Sequence, residues 1–133
     1  MVSMSGAPYA SAADCAPSEP VSVLQLHGDM DPTILYGGGT ITVENAPVAY
    51  PAARATFDLW AASNGCGDAA TDGPARDLVG SLDGNETAVL EAGGCPDDGR
   101  VELWTVAGGT HVLLLNATSR GALWTFLEAH PKR

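Results

Sequence analysis

The chain has 133 residues with a net charge of −10, and at 45% hydrophobic and 17% charged residues it carries enough apolar material for a packed core. A single domain and an ordered chain follow, and the acidic balance argues against nucleic acid and anionic membranes as partners, since the six basic residues are scattered rather than clustered. No apolar run approaches the ~20 residues of a spanning helix, and no secretory leader precedes the first strand, so the chain as given reads as soluble.

Sixteen glycines and nine prolines cut the sequence into short apolar runs, the pattern of strands and helices joined by turns. Val21 to Leu26, VSVLQL, predicts a buried strand that stops at His27-Gly28. From Glu44 to Asn64 the period changes. Tyr50, Ala53, Phe57, Trp60 and Ala61 recur at spacings of three and four, with Pro51 suited to a first helical turn, so an amphipathic helix is expected. Asn64-Gly65 ends it and delivers Cys66 to a loop. Residues 67 to 86, rich in Gly, Asp and Thr, read as a surface loop. Thr87 to Glu91 reads as a short strand, and Val101 to Val106, VELWTV, as a strand running into Gly108-Gly109. Thr118 or Ser119 can cap a last helix, with Leu123, Phe126, Leu127 and His130 on one face and Pro131 stopping it. Strands alternating with helices imply an α/β fold with a mostly parallel sheet.

In such sheets the chemistry gathers on loops leaving the carboxyl ends of strands. Two loops qualify, His27-Gly28-Asp29-Met30-Asp31-Pro32 and Gly108-Gly109-Thr110-His111. A carboxylate that accepts the Nδ1–H of an imidazole fixes its tautomer and leaves Nε2 free as a general base. His27 reads as a residue that packs or hydrogen-bonds at a strand end, and His130 as a cation at a helix C-terminus. Phe57, Trp60, Trp104, Trp124 and Phe126 fall on apolar faces and are expected in the core. The clusters Asp68, Asp72, Asp77; Asp83, Glu86; and Asp97, Asp98 lack the spacing of a calcium loop, and the three cysteines lack that of a zinc site, so no metal or cofactor is expected. Asn85 and Asn116 sit in glycosylation patterns that carry no assignment.

The string HGDMDPTI after a strand, a helix ending WAASNGC, a lone Cys95, and VELWTVAGGTH before a final helix together resemble the C-terminal half of secreted α/β-hydrolase esterases of the polyhydroxybutyrate-depolymerase and feruloyl-esterase-like family. The resemblance spans most of the chain from VSMSGAP onward. It implies a partial α/β-hydrolase fold with Asp31 as triad acid, His111 as base, a Cys66 to Cys95 disulfide beside the crevice, an ester substrate and a secreted or periplasmic location. Asp29 does not match the acid position. Cys15 is left odd and is expected to pair upstream.

Two departures matter. His111 runs into VLLLN where some relatives have Ser-Trp-Pro-Gly, which leaves the acyl and alcohol groups open. The G-x-S-x-G elbow that carries the nucleophile in this fold is absent: Gly80-Ser81-Leu82-Asp83-Gly84 places serine one position early, and Ser3 and Ser5 lack the spacing. VSMSGAP resembles the strand after the nucleophile helix, so the expectation is a fragment that supplies acid and histidine and is inactive alone. The alternatives are a non-catalytic binding or assembly module that pairs through a bare sheet edge, by self-association or with another subunit, and a dimeric site recruiting Ser5 or Ser81.

Overall fold

A computed structural model describes residues 1–14 and 17–131, so Cys15 lies outside the described residues. Among the described residues seven strands and two α-helices follow in chain order, besides a short 3-10 helix at Ala12–Asp14: β1 (Val2–Met4), β2 (Val23–Gly28), β3 (Gly39–Val43), β4 (Ala46–Tyr50), α1 (Ala53–Ser63), β5 (Asp68–Arg76), β6 (Thr87–Gly93), β7 (Val101–Val106) and α2 (Ala117–Ala129). Five strands form one sheet in the order β1-β2-β7-β6-β5, and β3-β4 is a separate hairpin. The sheet is mixed. β1-β2 and β2-β7 pair in parallel, whereas β7-β6 and β6-β5 pair antiparallel, so the expected parallel character holds only for its β1-β2-β7 half.

β2 is buried at every residue because both faces of the sheet are covered, which is why VSVLQL reads as a continuous apolar run. Alternation divides the two cores. Val23, Val101 and Leu103 pack on one face with Ala53, Phe57 and Trp60 of α1. Leu24, Leu26, Trp104 and Val106 pack on the other with Phe126 of α2. β2 begins at Val23 rather than Val21 because the N–H and C=O of Val21 are taken by the Asn64 side chain, at 3.1 and 2.8 Å, instead of by a strand.

The helix over Glu44–Asn64 is shorter than its expected span. Ala46 and Tyr50 precede Pro47 and Pro51, and a residue before proline is pushed into extended backbone. Residues 46–50 are therefore strand β4, joined to β3 through Glu44 and Asn45 at φ 50° and 67°, the left-handed pair of a tight hairpin turn. At its far end α1 closes as the sequence implies: Gly65, at φ 75°, donates to Ala62 O at 3.1 Å and Cys66 donates to Ala61 O at 2.9 Å.

Three further expectations need correction. Residues 68–76, read as loop, are edge strand β5, whose mostly solvent-facing residues leave no apolar alternation to detect; Pro74 falls at a register shift between Gly73 and Arg76, where a missing N–H is tolerated. The cap of α2 is Asn116, whose Oδ1 accepts the Ser119 N–H at 2.9 Å, so the helix starts ahead of the Thr118 or Ser119 expected to cap it. Trp124 is 61% exposed, unlike the buried Phe57, Trp60, Trp104 and Phe126. Among the described residues no helix is long and apolar enough to cross a membrane.

Candidate active site

The site forms because β2 and β7 are parallel neighbours in matched register, with Gly28 opposite Val106, so the two loops leave the same edge side by side. Close approach of those loops depends on glycine. A Cβ on Gly28 would collide with the Gly109 carbonyl and lie 2.9 Å from its Cα. With hydrogen there instead, the loops are stitched together: Asp29 N–H donates to Val106 O at 3.0 Å, Met30 N–H to Gly109 O at 3.0 Å, and Gly108 N–H to Asp29 Oδ1 at 2.7 Å. Asp29, set aside as the acid, is thus a loop clasp.

Asp31 follows one turn later, 3% exposed. Its Oδ1 accepts the main-chain N–H groups of Thr33 at 2.8 Å and Ile34 at 3.0 Å, so the side chain holds its own turn. Its Oδ2 lies 2.9 Å from Nδ1 of His111, across 80 positions of sequence. Burial pushes the Asp31 carboxyl up, but the hydrogen bonds from His111, Thr33 and Ile34 and the His111 charge outweigh it, and the group is held below the usual carboxylate range.

His111 is partly open to solvent, its side chain 38% exposed. A carboxylate at Nδ1 requires that this nitrogen carry the proton, and Nε2 then presents its lone pair. Among the described residues nothing bonds Nε2. The histidine loop is anchored from β1, where Ser5, buried and at φ 49°, donates its hydroxyl to the His111 main-chain oxygen at 2.9 Å. Ser5 therefore meets the backbone of His111 and not its ring. Ser81 is exposed on the loop between β5 and β6. A cleft of about 220 Å³ beside His111 is lined by Met4, Ser5, Val112 and Leu113.

The structure thus brings Asp31 and His111 into direct contact. Cys66 and Cys95 are bonded to each other as expected, but elsewhere. Cys66 follows α1 and Cys95 precedes β7, whose start lies at the opposite end of the sheet from Asp31 and His111, so the bridge does not flank the crevice. Sequence reading missed the clasp at Asp29 and the anchor at Ser5. Paired glycines at 28 and 108–109 were the available signal for the loop contact, and Ser5 had none because its partner is a main-chain oxygen. Among the described residues no three His, Cys, Asp or Glu side chains are grouped to hold a metal ion.

Comparison with known proteins aligns 98 residues, 73% of this chain, with feruloyl esterase B of Piromyces equi at 31% identity. The match covers 16% of that relative's length. No family model matches the chain, and no solved structure matches it. The chain is therefore similar to a short part of an esterase, and its relationship is esterase-like.

Proposed function

We propose that Asp31 and His111 are the acid and base of a serine carboxylic-ester hydrolase, in a segment of α/β-hydrolase fold whose nucleophile lies outside these residues. The observation that carries this is the 2.9 Å contact between His111 Nδ1 and a buried Asp31 at the carboxyl ends of adjacent parallel strands. In that mechanism a serine hydroxyl gives its proton to His111 Nε2 as it attacks the ester carbonyl. Asp31 holds the imidazole tautomer and stabilises the imidazolium, main-chain N–H groups hold the oxyanion, and His111 returns the proton to the leaving alcohol. The esterase-like relative supports the reaction class, and the Cys66–Cys95 bond fits an oxidising, extracellular setting.

The test is nitrophenyl-ester cleavage by this chain alone and with a segment bearing a G-x-S-x-G serine. The chain alone is expected to give no triad-dependent turnover. The completed protein is expected to lose activity on the order of 10⁶-fold with His111→Ala. Cleavage by the completed protein that ignores His111→Ala would remove the hydrolase reading.

One observation favours a second reading, an assembly module. β1 is three residues long and, among the described residues, pairs with no strand but β2, which leaves its other edge open to a strand from another subunit or a second copy. A monodisperse oligomer in sedimentation, without esterase activity on completion, would favour it.

A further inference from the structure

His27 is the penultimate residue of β2, on the strand that carries the acid loop, and 1% of its surface is exposed. Its Nε2 lies 2.8 Å from the main-chain oxygen of Ile34 and 3.3 Å from Oδ2 of Asp31. A carbonyl oxygen only accepts, so Nε2 carries the proton. That N–H donates to Ile34 O at the far end of the turn that begins at Asp31, while Asp31 Oδ2 lies beside it without hydrogen-bond geometry. The ring is held edge-on to Tyr36, with centroids 5.6 Å apart, and Tyr36 is tied to β7 by its hydroxyl 2.7 Å from Thr105 Oγ1.

We propose that His27 is a positioning residue for the Asp31–His111 pair: its Nε2–H, bonded to Ile34 O, fixes the far end of the acid turn whose Ile34 N–H holds Asp31 Oδ1, and so sets the carboxylate oxygen offered to His111. The proposal rests on the catalytic reading of that pair. Oδ1 of Asp31 is committed to the N–H groups of Thr33 and Ile34, so the carboxylate holds the turn while Oδ2 must meet His111. Without His27 the carboxylate would do both unaided, from a loop. His27 stands on a strand buried on both faces, and a donor on a rigid element steadies a group on a flexible one. A space-filling role does not account for the residue type. Among the described residues Nδ1 is buried with no partner, a cost that leucine or phenylalanine would not carry and that the Nε2–H bond to Ile34 O justifies.

Two variants separate donor from filler. His27→Gln places an amide N–H where Nε2 stood, and His27→Leu fills the space without a donor. In the isotope-labelled chain, NMR follows the Asp31 carboxyl titration, the exchange of the Thr33 and Ile34 amides relative to Leu24 in the core, and the His111 ring nitrogens. With leucine, the Asp31 midpoint is expected to rise toward the ordinary carboxylate range. The two turn amides should exchange about tenfold faster relative to Leu24 or more, and the His111 ring should lose its single tautomer. With glutamine all three should stay as in the parent. A leucine variant indistinguishable from the parent, or a glutamine variant that behaves like leucine, overturns the proposal. Should the leucine variant not fold, glutamine decides: an unshifted Asp31 titration supports the role and a shifted one overturns it. None of these readouts involves turnover. A leucine variant indistinguishable from the parent, with cleavage still dependent on His111, defeats only this proposal, and cleavage indifferent to His111 defeats only the catalytic reading.

Discussion

Gly28→Ala is the substitution that tests most directly whether the loop contact builds the site. Gly28 does not have positive φ, so alanine meets no backbone strain and the whole penalty is steric. The new Cβ would collide with the Gly109 carbonyl and sit 2.9 Å from Gly109 Cα. Ordinary contact requires that the histidine loop retreat by roughly 1 Å. That retreat strains three hydrogen bonds between the loops, from Asp29 to Val106, Met30 to Gly109 and Gly108 to Asp29. At about 1 kcal/mol net each, and with alanine's small gain from a stiffer unfolded chain set against them, the loss comes to about 2 to 3 kcal/mol. Urea unfolding followed by tryptophan fluorescence should show a lower midpoint with an unchanged slope. In the completed enzyme a displacement of that size costs about 100-fold in kcat. A midpoint shift worth less than about 0.5 kcal/mol, with the His111 Nδ1–H signal intact, would refute the view that these glycines bring the loops together.

Asp31→Asn tests the charge. Because the folded carboxyl is held below its usual range, its stabilisation is present above the unfolded value and fades as pH falls through the folded one, so the parent should lose stability on acidification in that window and the variant should be flatter there, as read from urea midpoints at a series of pH values. Asn64→Ala removes a buried amide that bonds Val21 N and O and Gly99 O at 3.1, 2.8 and 2.9 Å, and leaves those groups without it; a loss of about 2 to 4 kcal/mol is expected in thermal or urea unfolding. Replacing Cys66 and Cys95 together by serine opens a link between residues 29 positions apart and should cost about 3 to 4 kcal/mol, measured against the oxidised parent.

What was legible in the sequence is what is written in side chains facing a core. β7 matches VELWTV to the residue, and α1 ends where Asn64-Gly65 says it should, since a left-handed glycine is a local demand that no packing overrides. The two loops could be named because each follows a strand and an acid with a histidine implies a shared role, whereas it is the resemblance to α/β-hydrolase esterases that picks Asp31 over Asp29. The hairpin β3-β4 was hidden because its turn uses Glu44-Asn45 in place of the usual glycine, and because Ala and Val alternate too weakly to separate strand from helix. β5 was hidden because an exposed edge strand is held by main-chain hydrogen bonds to β6, which any sequence supplies. Trp124 was misplaced because a helical face was read as buried along its whole width, whereas α2 buries Phe126 and leaves Trp124 and Leu127 to solvent.

The same placement separates stability from chemistry. Asn64, Gly99 and the Cys66–Cys95 bond tie together the ends where β2 and β7 begin, while Gly28, Asp29, Asp31 and His111 occupy the ends where those strands finish. Between them lie six paired residues on each strand, buried on both faces but for Thr105, which transmit register but not small displacements, because a close-packed strand pair resists shear. Loosening the first end should therefore lower the midpoint of unfolding without altering the Asp31–His111 contact in molecules that remain folded. Loosening the second end acts on that contact directly. A double variant joining Cys66→Ser/Cys95→Ser with Gly28→Ala should show additive losses to within about 0.5 kcal/mol. Strong coupling between the two would mean that the strands themselves are deformable, and that the site is held by the whole sheet and not by the glycine contact at its edge.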